Sequence, residues 1–174
     1  TEAGPTWAAD NKTLVYTTKN PGTLLSKKIK KHKLGIDAKQ DVEVYHEKDN
    51  SNYIGVAKSK NGKHIYIYSS ATLSSEMRMI DADRPDDAFR VLAPRSKDVL
   101  YEMIALEDKF LVLTNWKAKN FRLMECPLDK TGQENWKEVI PHRSDVLIQS
   151  VEEFKDFVAI EERKNGLVQL RIQD

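Results

Sequence analysis

His64-Ile65-Tyr66-Ile67-Tyr68-Ser69-Ser70 is a β-branched and aromatic run that decides the fold. The turn Lys60-Asn61-Gly62-Lys63 precedes it, and Asn-Gly between alternating apolar residues is a strong hairpin signal. After it comes Glu76-Met77-Arg78-Met79-Ile80-Asp81, where charged and apolar side chains alternate. The same figure returns three more times. Its second strand recurs as Thr13-Leu14-Val15-Tyr16-Thr17-Thr18, Lys109-Phe110-Leu111-Val112-Leu113-Thr114-Asn115 and Asp156-Phe157-Val158-Ala159-Ile160-Glu161-Glu162. Its third strand recurs as Lys28-Ile29-Lys30-Lys31-His32-Lys33-Leu34, Phe121-Arg122-Leu123-Met124-Glu125 and Val168-Gln169-Leu170-Arg171-Ile172-Gln173. A period of roughly 45–50 residues with about four strands is the mark of propeller blades.

The units therefore run over approximately 1–50, 51–96, 97–143 and 144–174. First strands are expected at Thr6-Trp7-Ala8-Ala9, Tyr53-Ile54-Gly55-Val56-Ala57, Tyr101-Glu102-Met103-Ile104-Ala105 and from near Val146. Fourth strands are expected at Val42-Glu43-Val44-Tyr45-His46, Phe89-Arg90-Val91-Leu92 and Trp136-Lys137-Glu138-Val139-Ile140, and the last unit stops without one. In the first unit the third strand is expected to be long, from Leu24 to Leu34. The fold class expected is all-β, a partial propeller of about four consecutive blades, the last lacking its outer strand.

Residues 145–162 also admit an amphipathic helix with Val146, Ile148, Val151, Phe154 and Phe157 on one side. Alignment with three earlier hairpins favours strands there. Second strands that are apolar at nearly every position are expected to be covered on both faces, and alternating third strands to approach solvent.

Composition narrows the function classes. The chain of 174 residues is 40% hydrophobic and 32% charged, with a formal net charge of +1. It lacks the strong positive field of non-specific nucleic-acid binding, and no apolar run approaches the roughly 20 residues of a membrane-spanning helix. Cys126 is the single cysteine, so no internal disulfide forms. It reads as a small hydrophobe on a strand, and a cytoplasmic location is expected.

No Gly-x-Ser-x-Gly string marks a nucleophile, and no Gly-x-x-x-x-Gly-Lys or Gly-x-Gly-x-x-Gly loop cradles phosphate. His32, His46, His64 and His142 lack the spacing of paired metal ligands. His46-Glu47-Lys48-Asp49-Asn50 opens like a zinc-peptidase helix but has Asn50 where the second histidine must stand. No catalytic, cofactor-binding or metal-binding residue is nominated, and no cofactor is expected. The basic run Lys27-Lys28-Ile29-Lys30-Lys31-His32-Lys33 reads as a solvated outer strand whose lysines discourage edge pairing. Asn11-Lys12-Thr13 fits the glycosylation sequon but sits in an expected hairpin turn. Trp7, Trp116 and Trp136 occupy different places in their units and read as packing residues.

Thr114-Asn115-Trp116-Lys117-Ala118-Lys119-Asn120-Phe121-Arg122-Leu123 resembles the Thr-Asn-x-x-Ala-x-Asn-x-x-Leu element in the propeller of the prolyl oligopeptidase family. Trp7-Ala8-Ala9-Asp10, Ser74-Ser75-Glu76-Met77-Arg78, Ile140-Pro141-His142-Arg143 and Val158-Ala159-Ile160-Glu161-Glu162-Arg163 resemble its oligopeptidase B (protease II) branch. The resemblance runs essentially end to end. It implies a serine peptidase whose seven-bladed propeller caps an α/β-hydrolase domain with a Ser-Asp-His triad. Such a parent cleaves short peptides after arginine or lysine, and the propeller selects substrates by size.

The triad is expected on polypeptide outside this chain, so these residues alone are expected to be inactive. Expected partners are that hydrolase domain and, for the parent, oligopeptides, with no nucleic acid or membrane. A competing reading is a propeller-type protein interaction module never joined to a hydrolase. An open arc of blades exposes apolar faces, so self-association, or strand exchange near Asp174, is expected of the fragment.

Overall fold

Residues 4–173 are described by the computed structural model. They form four antiparallel sheets in chain order, three of four strands and one of three. The chain divides after Pro94 into two compact units, each holding two sheets.

In the first unit, one sheet runs β1 (Thr6–Trp7), β2 (Thr13–Lys19), β3 (Ser26–Lys33) and β4 (Val42–His46). The next runs β5 (Tyr53–Lys58), β6 (His64–Ala71), β7 (Ser74–Asp81) and β8 (Arg90–Ala93). Ala8, Val15 and Ile29 from the first meet Ile54, Ile65, Ile67, Ile80 and Ala82 from the second in one buried cluster. β-branched side chains stack well on a pleated surface, which is why isoleucine dominates this contact. Fully burying each such side chain stabilises the fold by about 1.5–3 kcal/mol.

In the second unit, β9 (Tyr101–Ala105), β10 (Lys109–Thr114), β11 (Arg122–Pro127) and β12 (Lys137–Ile140) make one sheet. β13 (Val146–Glu153), β14 (Val158–Lys164) and β15 (Leu167–Gln173) make the other. Their shared core joins Ile104, Leu111, Leu113, Leu123 and Ile140 to Ile148, Val151, Val158 and Ile160. Residues 145–162 are thus a hairpin rather than a helix, and Val151 pairs with Ile160 across it.

Several details depart from the sequence expectation. The first strand ends at Trp7, because Ala8 closes the turn by donating its N–H to the Thr13 carbonyl at 2.9 Å. The third strand of the first sheet begins at Ser26, not Leu24, since Leu24 takes a left-handed φ of 59° that no strand accommodates. Second strands are not uniformly buried. β10 is buried at every position but Lys109, whereas β2 and β14 alternate, with Thr13, Val15 and Thr17, or Val158, Ile160 and Glu162, turned inward.

One irregularity repeats in all three four-stranded sheets. The ladder between third and fourth strands shifts register at Ile29/Lys30, at Met77/Arg78 and at Leu123/Met124. A bulge there increases the local twist of the sheet and re-aims the outer strand.

Candidate functional site

The side chains that a hydrolytic centre would need are dispersed among structural contacts. His32 lies on β3 with Nδ1 2.7 Å from Asp41 Oδ1, and Tyr16 donates its hydroxyl to Asp41 Oδ2 at 2.6 Å. Burial raises the Tyr16 phenol to about 12, and the Asp41 carboxylate adds to the shift. Burial alone would raise Asp41 too, but hydrogen bonds from Tyr16 and His32 hold it below the ordinary carboxylate range. His46 stands 3.6 Å from Glu43. His64 stands 3.3 Å from Asp81, and burial pushes its imidazole down against the pull of that carboxylate. Among the described residues no three His, Cys, Asp or Glu side chains form a metal-holding group.

Glu47, in the string that opens like a zinc-peptidase helix, lies just past β4 and is buried. It accepts from the hydroxyls of Tyr45 at 2.8 Å and Ser69 at 2.5 Å, and from the Asp49 N–H at 3.0 Å. Arg78 lies over the Tyr45 ring at 4.9 Å. A carboxylate with that many donors is a structural pin between two sheets. The basic run is less solvated than expected: Lys27 is buried and donates to the Asp49 carbonyl at 2.7 Å, and Lys31 donates to Pro85 and Asp86. It lies on a third strand, β3, so β4 covers its outer edge.

Beside this run is a recess of about 660 Å³ whose lining includes Lys19, Lys27, Lys28, Lys30, His46 and Lys48. Lys28 is engaged by Glu43 at 2.6 Å.

Of the tryptophans, Trp136 is buried and donates Nε1–H to the Thr131 carbonyl at 3.0 Å. Tyr101 and Trp116 pack on it at ring separations of 5.6 and 6.1 Å. Lys117 of the same chain occupies the Trp116 face at 4.6 Å. Trp7 is 43% exposed. Cys126 is buried on β11. Asn11 sits in the β1–β2 turn with φ 53°, and the Thr13 hydroxyl of that triplet donates to Asp10 at 2.7 Å.

In the second unit, carboxylates gather on first strands. Glu102 on β9 has its carboxyl raised by burial and by the negative charge of Glu152 and Glu153 on β13. Glu162 on β14 is buried and meets both Arg143 and Arg171. The Glu102 group carried no motif, because its members lie on different sheets and meet only once the sheets pack; Arg143 and Glu162 stand in two of the strings that resemble the family, but nothing in those strings shows that they pair.

The string 114–123 turns out to be architectural. Thr114 donates its hydroxyl to the Leu100 carbonyl at 2.8 Å, and Asn115 Oδ1 accepts from the Leu100 N–H at 2.7 Å. Lys117 and Phe121 take left-handed φ of 51° and 62°, folding the chain between β10 and β11 into two consecutive turns. Asn120 Nδ2 then donates to the carbonyls of Arg143 and Ser144 at 3.1 and 2.9 Å, and the Ile148 N–H donates to the Asn120 carbonyl at 3.1 Å. That geometry ties one sheet to the start of the next.

The same residues carry the family likeness, and it is decisive. A family model described as the prolyl oligopeptidase N-terminal β-propeller domain matches residues 1–174. The chain belongs to the prolyl oligopeptidase family. Among curated relatives of this prolyl oligopeptidase propeller, dipeptidyl aminopeptidase BI of Pseudoxanthomonas mexicana is 43% identical over 167 residues, covering 95% of this chain and 23% of the relative. Protease 2 of Moraxella lacunata is 36% identical over 141 residues, covering 80% of this chain and 20% of the relative. Oligopeptidase B from Trypanosoma brucei, solved with covalently bound antipain, superposes with a TM-score of 0.88 at 25% identity, covering 97% of this chain and 24% of that one. The propeller chain therefore spans about a quarter of the length of these relatives.

Proposed function

We propose that this chain is part of the substrate-selecting cap of a serine-type oligopeptidase, with the hydrolytic groups on polypeptide beyond it. The match of the whole chain to the family's propeller domain carries this reading. The same match favours a peptidase over a free-standing interaction module. We take each sheet as one blade, with the units 1–50, 51–96, 97–143 and 144–174, in a cytoplasmic protein.

A capping propeller excludes folded proteins by size and admits short peptides. The preferred cleavage site in this proposal follows arginine or lysine. The cluster of Glu102, Glu152 and Glu153 supports it, because a negative field raises the local concentration of basic peptides. A second mode of cleavage has its own support: the relative at 43% identity is named a dipeptidyl aminopeptidase.

One experiment separates these readings. The longer polypeptide that carries this chain is assayed on arginyl and lysyl peptides of graded length, with free and with blocked amino termini, and on a folded protein. Cleavage of short blocked peptides after basic residues is the expected result. Dipeptide release that requires a free amino terminus selects the second mode. Unrestricted cleavage of the folded protein, or no peptidase activity, overturns the cap reading.

A further inference from the structure

Trp116 is set apart from the other tryptophans by what touches its ring. Buried Trp136 meets it with the two ring planes at 87°, which braces the indole. The Lys117 ammonium lies 4.6 Å from the Trp116 ring centre. Trp116 is only partly buried and Lys117 is exposed. Of the aromatic side chains, indole offers the best face to a cation. Here that cation is supplied by the neighbouring residue.

The backbone holds this pose. The Trp116 N–H donates to the Thr114 hydroxyl at 3.0 Å, and that hydroxyl donates in turn to the Leu100 carbonyl at 2.8 Å. Lys117 follows at a left-handed φ of 51°, in a turn closed by the Ala118 N–H on the Asn115 carbonyl at 2.9 Å. Left-handed backbone is costly for a residue with a β-carbon, and such strain gathers at ligand-binding segments.

Position favours contact with substrate. In a sheet of four antiparallel strands the chain enters and leaves at one end, and the turn between second and third strands lies at that end too. Trp116 stands in this turn of the β9–β12 sheet, an internal sheet preceded and followed by another in chain order. Polypeptide beyond such sheets connects at that end, and in the proposed peptidase it carries the hydrolytic groups. Lys119 is also exposed in the same connection, so the surroundings of the ring are positive. Charge alone would repel a basic peptide there, and stacking has to supply the attraction. A guanidinium is planar and weakly hydrated, so it stacks on an aromatic face where an ammonium does not.

We propose that Trp116 is a platform for an arginine side chain of the peptide substrate, remote from the scissile bond, and that Lys117 occupies the platform until arginine displaces it. The inference rests on the peptidase reading above. A contact remote from the reacting bond binds substrate and transition state equally, so it acts on KM and leaves kcat alone.

The longer polypeptide that carries this chain is assayed on peptides it cleaves at one fixed residue, with arginine, lysine or citrulline at a remote position. Arginine is expected to give the lowest KM. Trp116→Leu raises KM for the arginine peptide about two- to tenfold at unchanged kcat and leaves the citrulline peptide unaffected. Trp116→Phe keeps a ring against Trp136 and falls between. Lys117→Ala lowers KM for the arginine peptide, and this gain disappears in the Trp116→Leu background. A lysine that merely repels the peptide gives the same gain with or without the ring. A persisting gain, an equal effect of Trp116→Leu on the arginine and citrulline peptides, or no effect on either overturns the proposal. Circular dichroism verifies folding, and where Trp116→Leu unfolds, Trp116→Phe alone and combined with Lys117→Ala decides. A wild-type polypeptide without peptidase activity defeats the peptidase reading instead. Fluorescence anisotropy of the labelled peptides then reads the site: arginine-selective binding that weakens in Trp116→Leu upholds it, and its absence overturns it.

Discussion

Asn120 holds Ser144 through a 2.9 Å hydrogen bond from its carboxamide nitrogen to the Ser144 carbonyl, fastening the β10–β11 connection to the segment that enters β13. The same nitrogen reaches the Arg143 carbonyl at 3.1 Å. Replacing Asn120 by alanine removes both bonds at a partly exposed site, so Asn120→Ala is expected to cost about 1 kcal/mol. Asn120→Asp is expected to cost more, since a carboxylate oxygen then confronts two carbonyl oxygens. Urea melts of both variants check the order.

Glu47 and Ser69 make the corresponding pin in the first unit. Glu47→Ala leaves the Tyr45 and Ser69 hydroxyls without this acceptor in a buried setting, and a loss of about 2–3 kcal/mol is expected. Glu47→Gln keeps an acceptor oxygen but introduces donors among donors, so it should fall between wild type and alanine. Chemical denaturation of the three proteins measures it.

Alkaline stability is set in part by Tyr16. Its phenol is raised from 10.0 to about 12 in the folded chain, so the folded state holds this proton more tightly than the unfolded state does. The associated stability is fully present below pH 10 and is lost as pH rises toward about 12. Tyr16→Phe should flatten the pH dependence in that window, as read by melting temperature against pH.

Glu102 has the same sign in the acid range. Its carboxyl is raised above the ordinary 4.5, so its contribution is present below that pH and lost as pH rises through the folded value. Glu102→Gln is expected to raise the melting temperature at neutral pH and to leave it unchanged in acid. The gain should be small, because Glu102 keeps enough exposed surface for solvent to screen the repulsion.

The β14–β15 hairpin turns on Asn165 and Gly166, both at positive φ, 50° and 79°, with Lys164 paired to Leu167 across it. Those angles suit a two-residue turn with left-handed centres. Gly166→Ala meets no steric contact but must adopt a backbone region that side chains disfavour, at a cost of about 1–2 kcal/mol. Thermal melts report it, and Gly166→Asn should lose less.

The sequence contained this turn as plainly as it contained Asn61-Gly62, yet only the latter entered the reading. The two behave differently. Gly62 takes φ 74° within a four-residue loop closed by Ser59 and His64, and Asn61 acts through its side chain, accepting from the Lys63 N–H at 3.0 Å. Recurrent apolar runs located the strands to within a few residues because each run must lie in a sheet for its side chains to escape water. Phe154 and Phe157 fitted a helical stripe equally well, and only the hairpin pairing of β13 with β14 stacks their rings at 4.6 Å.

Repetition in the amino-acid order determined four successive β-sheets, since a recurring pattern of apolar and polar residues dictates which backbone can bury them, and the family likeness rested on particular strings such as residues 114–123. Tertiary structure decided which polar groups meet. Glu47 with Ser69, Tyr16 with Asp41 and Glu102 with Glu152 are brought together by sheet packing and loop closure, at separations along the chain that carry no local signal. The repeated bulge between third and fourth strands belongs to the same class, because register is a relation between strands and not a property of either one.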